Sequence, residues 1–366
     1  MMKLKINKLN VNYNGILVGY LYEDESERIM FQYDNDWIND GFSISPFSLP
    51  LTKQIYQSKS PHFGGLFGVF NDSLPDGWGE LLVRKMLNEK GINFDRLSPL
   101  TRLTLLSDKG LGGLSYEPSQ SDVTQDDWMD LDEISLEIGK ILSDINDNID
   151  LDKIYRFGGS SGGARPKVHL KIDDEEWIIK FPSHLDPRNM GVLEYETNQY
   201  AQACGIKTAD HQLFPSKKGK GYFGSKRFDR DSNKRIHMIS LSALLETTHR
   251  IPNLDYAHLF QVIQRICVNQ EDLYEAYTRM CFNVFFENKD DHGKNISFLY
   301  DESQKGYRLA PAYDLTQTKN RYEHEMTILG NGNPTEEDLL KMAKEFKLSM
   351  KRVIDIIDRV KKIAKK

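Results

Sequence analysis

Strand-type and helix-type patterns occupy different parts of this 366-residue chain, and that segregation limits the fold more than any other feature. Short apolar runs separated by turn residues prevail up to residue 230, with a few helical stretches among them. Beyond Ser240, apolar residues recur at helical spacing almost to the end. Runs of strands followed by runs of helices are typical of an α+β fold. We therefore predict an α+β fold with a mainly helical C-terminal lobe over residues 231–366.

The first part of the chain reads as a β-rich unit. Residues 11–21 contain an Asn-Gly dipeptide between two apolar runs, which is a strong hairpin signal. Ile29–Tyr33 follows as a further strand, and residues 80–87 form a helical run. We predict a β-rich N-terminal subdomain over residues 1–118.

An acidic stretch follows this subdomain. Residues 122–152 contain eleven acidic side chains and a single basic one, Lys140, while apolar residues recur at helical spacing. This pattern predicts an amphipathic helix with an acidic face. A solvated bridge between two units is the favoured interpretation, and an acidic docking surface is the alternative.

Composition excludes several classes of protein. The 48 basic and 54 acidic residues give a net charge of −6, so binding of duplex DNA by the whole surface is not expected. The N-terminus lacks the apolar run of a signal peptide, and no stretch approaches the roughly 20 apolar residues that cross a bilayer. Three scattered cysteines (Cys204, Cys267 and Cys281) indicate buried free thiols. We predict a cytoplasmic protein.

A glycine-rich loop at residues 158–167 precedes a strand–turn–strand pattern. Its small residues allow backbone N–H groups to approach an anion such as phosphate. The loop is not a Walker A motif, because Ala164 follows Gly163 where that motif requires lysine. Alone, such a loop is more often a surface connection than a ligand site.

Lys180 strengthens the case for a ligand site. It ends the second, apolar strand of the hairpin, where a lysine is expected only beside an anion. Glu194 on the next predicted helix is a candidate ion-pair partner, and a phosphate is another. Loop, hairpin with lysine and helix with glutamate follow in the order of a protein-kinase nucleotide lobe. We assign this lobe, with the acidic helix, to residues 119–230.

Residues 288–295 carry the strongest chemical signal. Asp290 and Asn295 have the five-residue spacing of the base and the metal-binding asparagine in a kinase catalytic loop. Asp314, which follows a predicted strand, supplies a second carboxylate. Oxygen ligands of this kind suit Mg²⁺, which keeps waters and substrate phosphates in its shell.

Two further segments have competing interpretations. His292 lies within the same loop, where a histidine more often holds backbone geometry than acts as a general base. Residues 226–230 form either a basic patch or the hinge that would meet an adenine ring. Their position after a strand favours the hinge.

At this point the sequence resembles the HipA family, the bacterial serine/threonine-kinase toxins of toxin–antitoxin systems. The matching segments follow the family order over most of the chain and are residues 70–77, 158–167, 226–230, 288–295 and 309–315. The resemblance implies a bilobal protein-kinase-like fold in which a β-rich subdomain precedes the kinase core.

The resemblance also implies roles for individual residues. Asp290 would be the catalytic base, Asn295 and Asp314 would bind Mg²⁺, and Lys180 would contact the phosphates of ATP. The implied nucleotide contacts are Ser160, Ser161, Gly162, Gly163, Ala164, Arg165, Lys167, Lys180, Lys226, Arg227, Phe228, His292 and Asp314.

Regulation is implied by the same family. Ser160 matches the autophosphorylated serine, whose phosphate would add about −1.5 to −2 charges to a loop that must hold ATP phosphates. Ser161 is adjacent, so the acceptor stays open between the two. Arg165 and Pro166 stand where the family usually has Gln and an acidic residue, so the loop departs from the family pattern there.

Partners follow only from the resemblance. It implies an aminoacyl-tRNA synthetase as the protein substrate, a helix-turn-helix antitoxin, operator DNA reached only through that antitoxin, and no membrane. Two rival functions remain open at this point. One is a kinase of a small molecule or lipid head group, and the other is a non-catalytic member of an antitoxin–operator complex.

Overall fold

The structure is a computed structural model that describes residues 5–106, 110–120, 130–143, 151–158, 162–183, 186–232, 234–318 and 320–365. The chain forms two compact units. The first comprises Met1–Val192, His211–His237 and Ala243–Glu246, and the second comprises Leu193–Asp210, Met238–Ser242 and Thr247–Lys366. The chain is β-rich towards its N-terminus and helical towards its C-terminus, which confirms the predicted α+β class. The predicted three-part domain division stays a prediction.

An antiparallel sheet of five strands forms the N-terminal part of the first unit. Its strands are β1 Lys8–Tyr13, β2 Ile16–Glu23, β3 Ile29–Tyr33, β4 Ile55–Gln57 and β5 Leu114–Glu117, in the order β4-β3-β2-β1-β5. Asn14 and Gly15 join β1 to β2 with φ angles of 48° and 80°, the left-handed geometry that an Asn-Gly hairpin turn adopts. The predicted hairpin and the strand after it are confirmed.

Six helices of the described chain accompany this sheet and the next one. They are α1 Asn35–Asp40, α2 Gly68–Asn71, α3 Gly77–Glu89, α4 Pro99–Leu103, α5 Leu131–Leu142 and α6 Leu151–Gly158. A 3₁₀ turn covers Phe94–Arg96. The helical run predicted at residues 80–87 is confirmed as the main part of α3.

A second antiparallel sheet in this unit follows the glycine-rich loop. Its strands are β6 Lys167–Ile172, β7 Glu175–Lys180, β8 His211–Phe214 and β9 Tyr222–Lys226, in the order β6-β7-β9-β8. Asp173 and Asp174 form the β6–β7 turn with φ angles of 50° and 63°. The predicted strand–turn–strand pattern is confirmed. A short ribbon, β10 Arg230–Asp231 and β11 Lys234–Arg235, extends beyond β9.

Helix α5 packs into the core of this second sheet. Ile134, Ile138 and Ile141 are buried in one apolar cluster with Trp78 from α3 and Ile179 from β7. Because the apolar stripe faces the sheet, the amphipathic pattern predicted from the sequence is confirmed here. The expected solvated bridge is wrong for this helix, which is part of the core. The other residues of the acidic stretch lie mostly outside the described residues.

A buried carboxylate fixes the start of α5. Asp132 accepts hydrogen bonds from Ser216 Oγ at 2.6 Å, Lys217 N at 2.8 Å and Tyr222 Oη at 2.8 Å. The Ser216 hydroxyl and the Lys217 amide hold the pKa of this carboxyl below its usual range. One of the acidic residues thus attaches the helix to the β8–β9 connection instead of facing water.

The second unit is mainly helical. Helix α7, Met190–Ala203, begins in the first unit and continues into the second. Gly205 follows it with a φ of 84°, the left-handed conformation that commonly ends a helix. The other helices are α8 Leu241–Leu244, α9 Tyr256–Ile266, α10 Glu271–Phe285, α11 Glu336–Glu345 and α12 Met350–Ala364. The helical character predicted beyond Ser240 is confirmed. Thr335 is the N-cap residue of α11.

Short strands complete the second unit. They are β12 Met238–Ser240, β13 Leu254–Asp255, β14 Ser297–Asp301, β15 Gly306–Leu309 and β16 Met326–Thr327. Three of them form an antiparallel sheet in the order β12-β14-β15, and β13 pairs with β16 in parallel. Across the part of the chain that the structure describes, every helix is too short or too polar to cross a bilayer.

The packing of α5 gives a testable prediction. We expect Ile138→Ala to lower the free energy of unfolding by about 2–5 kcal/mol, because the side chain is 1% exposed and its removal leaves a cavity. Leu136→Ala is the matched control, since that side chain is 47% exposed on the same helix. Denaturant unfolding followed by circular dichroism measures both. Equal, small effects of the two substitutions would show that α5 does not belong to the core.

Candidate functional site

The loop at residues 288–295 follows α10. Hydrogen bonds within the loop and to neighbouring segments hold it in place. Asn288 Nδ2 donates to Asn283 Oδ1 at 2.9 Å, and Lys289 N donates to Thr318 Oγ1 at 2.7 Å. At the other end, Asn295 Nδ2 donates to the carbonyl of Asp290 at 2.8 Å. The last bond joins the two predicted site residues of the loop and holds their main chain in one turn.

Asp290, Asn295 and Asp314 line one pocket in the second unit. Tyr313, the residue before Asp314, holds this segment at the pocket, because its hydroxyl donates to the carbonyl of Lys294 at 2.7 Å. The segment after β15 is thereby attached to the loop at residues 288–295. Asp314 itself has a φ of 53°, a left-handed conformation that directs the chain sharply after the tyrosine.

The side chains in this pocket fit a Mg²⁺ ion. The Nδ2 bond to Asp290 turns Oδ1 of Asn295 away from that carbonyl, so the amide oxygen is oriented as an acceptor. The Asp314 carboxylate lines the same pocket. One carboxylate and one amide oxygen are a typical protein contribution to Mg²⁺, because water and phosphate oxygens supply the other ligands.

The Asp290 carboxylate is the most accessible acidic group of the loop. Its side chain is 33% exposed, and Arg321 Nη2 lies 2.7 Å from its Oδ1. His292 Nε2 is 3.9 Å from the same oxygen. A half-exposed carboxylate between two basic side chains is held in place while it stays open to a substrate.

His292 lies close to the Asp290 carboxylate. Its Nδ1 is buried, and no hydrogen-bond partner reaches that atom within the described residues. The ring of His249 lies beside it, with 5.1 Å between the two ring centroids. The predicted nucleotide contact at His292 stays a prediction.

Asp291, the neighbour of Asp290, is a site residue that the sequence analysis missed. Its carboxylate is buried and accepts hydrogen bonds from Tyr256 Oη and His324 Nδ1, both at 2.9 Å, and from the amide of Glu325 at 3.0 Å. Asp291 therefore holds the loop against residues 324–326. The pair of adjacent aspartates was the signal that could have identified it. Side chains of neighbouring residues in an extended segment point in different directions, so one aspartate can be buried while the other stays exposed.

The glycine-rich loop belongs to the first unit. Ser160 and Ser161 lie outside the described residues, whereas Gly162, Gly163 and Ala164 are described. The amide of Gly163 donates to Asp76 Oδ1, and the carbonyl of Gly163 accepts from Trp78 N at 3.0 Å. The start of α3 therefore contacts the loop directly.

The remaining basic side chains near this loop have distinct environments. Lys167 is buried at the start of β6, while Arg165 forms an ion pair with Asp186 at 3.4 Å. Lys180 ends β7 and is half-buried, with its Nζ 5.6 Å from the centroid of the Phe223 ring. Glu194 is buried on α7 in the part that belongs to the second unit. The predicted Lys180–Glu194 ion pair stays a prediction.

Residues 226–230 include a buried cluster of charged side chains. The guanidinium of Arg227 is fully buried, and its Nη2 donates to Asp229 Oδ2 at 2.7 Å and to the carbonyl of Gly110 at 2.8 Å. Arg230 Nη2 donates to the same carbonyl at 2.7 Å. The side chain of Arg227 is thus occupied in a structural cluster, and its amide donates to the carbonyl of Glu176 at 2.8 Å. The predicted nucleotide contact at Arg227 stays a prediction.

The two neighbours of Arg227 differ from it. Lys226 is half-buried and forms an ion pair with Glu175 on the adjacent strand, and Phe228 is half-buried as well. Their predicted contacts with a nucleotide stay predictions. Asp229 is the centre of the buried cluster. It accepts hydrogen bonds from Arg227, Arg230 and the amide of Gly112.

Comparison with known proteins gives a consistent family assignment. A family model described as the HipA-like C-terminal domain matches residues 159–366, and one described as the HipA N-terminal domain matches residues 9–117. A Sinorhizobium fredii (strain NBRC 101917 / NGR234) protein named "Putative kinase Y4mE" is 26% identical over 348 residues, which cover 86% of this chain and 78% of the relative.

A solved structure has the same fold. A chain in the Shewanella oneidensis MR-1 complex of the toxin–antitoxin proteins HipA and HipB with operator DNA superposes with a TM-score of 0.75. The alignment covers 97% of this chain and 88% of the other, with 18% sequence identity. At that identity the likeness shows the fold alone.

The Asp229 cluster gives a stability prediction. We expect Asp229→Asn to lower the free energy of unfolding by about 3–5 kcal/mol at neutral pH, because it removes the buried carboxylate that both guanidinium groups contact and leaves them only the half-buried Glu176 at 3.4 Å. Asp231→Asn is the control, since Asp231 is exposed. Denaturant unfolding measures both, and an equally small effect would exclude a stabilising role for the cluster.

The same variant has an expected pH dependence. Burial alone would raise the pKa of Asp229, but attraction by Arg227 and Arg230 outweighs it and holds this pKa well below its usual range. The contribution of Asp229 is therefore present above its unfolded pKa of 3.8 and is lost as pH falls further below it. The stabilities of wild type and Asp229→Asn should converge in strong acid. A constant difference would contradict the assignment.

Proposed function

This chain belongs to the HipA family, and we propose that it is an ATP- and Mg²⁺-dependent protein serine/threonine kinase. The observation that carries the proposal is the pocket lined by Asp290, Asn295 and Asp314. Their spacing along the chain is that of a kinase catalytic loop followed by a metal-binding aspartate. The Sinorhizobium relative named as a kinase supports the same reaction.

We assign the role of catalytic base to Asp290. Its carboxylate lines the pocket and is partly exposed, so a substrate hydroxyl can reach it. A carboxylate there orients the hydroxyl oxygen towards the γ-phosphorus and accepts the proton as the new P–O bond forms and the bond to ADP breaks. The ion pair with Arg321 and the buried anchor at Asp291 restrict the motion of this carboxylate.

Asn295 and Asp314 are the residues that would hold Mg²⁺. When bound, the ion neutralises phosphate charge in a phosphoryl transfer. The protein supplies one amide oxygen and one carboxylate, and the hydrogen bonds of Asn295 and Tyr313 set their positions before any ligand enters. Preorganised ligands of this kind lower the cost of binding.

We assign phosphate contacts to Lys180 and to the glycine-rich loop, with the adenine near residues 226–228. Lys180 is the last residue of β7, and its half-buried side chain carries a positive charge. The amides of Gly162 and Gly163 are donors suited to phosphate oxygens. Ala164, Arg165 and Lys167 belong to the same proposed phosphate region.

Family membership supports further proposals on substrate and partners. We propose that the substrate is a protein, an aminoacyl-tRNA synthetase, whose modification stops translation and growth in the cytoplasm. The Shewanella complex contains HipA, HipB and operator DNA. By that likeness we propose a helix-turn-helix antitoxin as a partner of this chain, with operator DNA contacted only through it.

The catalytic assignment is tested by one substitution. We expect Asp290→Asn to reduce phosphate incorporation from labelled ATP by about 10²–10⁴-fold, because the amide cannot accept the hydroxyl proton. Asp355→Asn, on the exposed face of α12, should retain wild-type activity. Unfolding midpoints establish that both variants are folded.

The controls separate the rival functions. Undiminished phosphate incorporation by folded Asp290→Asn would remove the assignment. Mass spectrometry of lysate proteins treated with wild type and with Asp290→Asn should show phosphoserine or phosphothreonine only with wild type. Consumption of ATP without any modified protein would favour a small-molecule or lipid-head-group substrate instead.

Autophosphorylation is tested independently. We propose Ser160 as the acceptor, because a phosphate there adds about −1.5 to −2 charges to the proposed phosphate-binding loop and switches it off. Intact-mass measurement before and after incubation with ATP should show one phosphate on wild type and none on Ser160→Ala. A phosphate that persists in Ser160→Ala and disappears in Ser161→Ala would move the site by one residue.

A further inference from the structure

The segment at residues 74–78 has no role in the proposed reaction, although it overlaps residues 70–77, one of the segments that match the family. Asp76 occupies the N-cap position of α3, where an aspartate normally accepts a hydrogen bond from its own helix. Its carboxylate makes no such capping bond. It accepts instead from the amide of Gly163 in the glycine-rich loop.

The contact between the two segments is close along several atoms. Gly77 has a φ of 47°, and a Cβ at that position would lie 2.4 Å from the carbonyl oxygen of Gly163. Trp78 donates from its backbone to that carbonyl and from Nε1 to the carbonyl of Lys167, at 3.0 Å and 3.1 Å. Trp78 is buried in the core, so it fixes this arrangement.

The surroundings of the Gly163 amide are those of an anion site. A Cβ built on Gly163 would lie 2.8 Å from Nζ of Lys167, which places the ammonium group directly beside this residue. A backbone N–H and a lysine ammonium are a donor pair suited to a phosphate oxygen. In this structure the anion that accepts from the amide is the carboxylate of Asp76.

We propose that Asp76 is a positioning residue of the nucleotide site and competes with nucleotide phosphates for the Gly163 amide. This inference rests on the proposed function. A single N–H makes one strong hydrogen bond, so a phosphate oxygen can accept from Gly163 only when Asp76 releases it. The negative charge of Asp76 also opposes a nearby phosphate. Asp76 thus sets the affinity for the phosphate chain and not for the nucleoside.

Calorimetric titration tests the competition with two probes, the non-hydrolysable ATP analogue AMP-PNP with Mg²⁺ and adenosine without it. We expect Asp76→Asn to bind AMP-PNP more tightly, by a factor on the order of ten, because a charged hydrogen-bond acceptor is lost. Adenosine, which has no phosphate, should bind both proteins equally. Asp76→Ala, which removes the acceptor altogether, should also gain affinity for AMP-PNP alone.

The matched control is Asp173→Asn. It removes the same charge from an exposed turn of the same unit, and asparagine tolerates the φ of 50° found there. It should leave both affinities unchanged. Weaker or unchanged AMP-PNP binding by the folded Asp76 variants, or a parallel shift for adenosine, would overturn the competition while leaving the kinase proposal intact. Failure of wild type to bind either probe would overturn both.

Discussion

The geometry of the candidate site depends on the buried carboxylate of Asp291, next to Asp290 in the chain. Asp291 is buried and accepts from a tyrosine, a histidine and the backbone of residues 324–326. A buried carboxylate is stable only when its oxygens are satisfied in this way. Because Asp290 is its immediate neighbour, every bond to Asp291 also limits where the Asp290 side chain can point. The chemistry proposed for Asp290 therefore rests on the polar network beneath it.

In the first unit, a buried carboxylate is neutralised by guanidinium groups. Asp229 gathers Arg227, Arg230 and the backbone of Gly112 into one buried cluster. Guanidinium groups of Arg227 and Arg230 also donate to the carbonyl of Gly110. A cluster of this kind contributes less net stability than apolar packing would, but it strongly disfavours any arrangement that separates the charges. It fixes Gly110 and Gly112, which precede β5, relative to the end of β9.

Local patterns in the sequence predicted most of the secondary structure. The Asn-Gly turn, the strands on both sides of Asp173 and the helices beyond Ser240 follow from residue types within a few positions of one another. The spacing of Asp290 and Asn295 likewise identified two of the residues that line the pocket.

Long-range pairing was beyond the same patterns. Arg227 reads as an exposed basic residue until Asp229 and the carbonyl of Gly110 are known to surround it, and Asp132 reads as a solvated acid until Tyr222 is known to donate to it. The burial of a charge depends on partners that lie far away in sequence, over 100 residues for Arg227 and Gly110. The expected solvated bridge at α5 was wrong for the same reason. Strand β8 escaped notice because it is short and only Phe214 of it is buried.

The position of Trp78 has a consequence for how such a chain can be inherited. The N-terminal match ends at residue 117 and the C-terminal match begins at residue 159, yet Trp78 and Leu82 belong to the same apolar cluster as Val168 and Ile179. Genetic recombination between the two matched segments would pair halves of a core that have not adapted to each other's shape. Exchange of the N-terminal part among relatives is therefore constrained by side-chain volume at this interface, and the two segments are expected to diverge together.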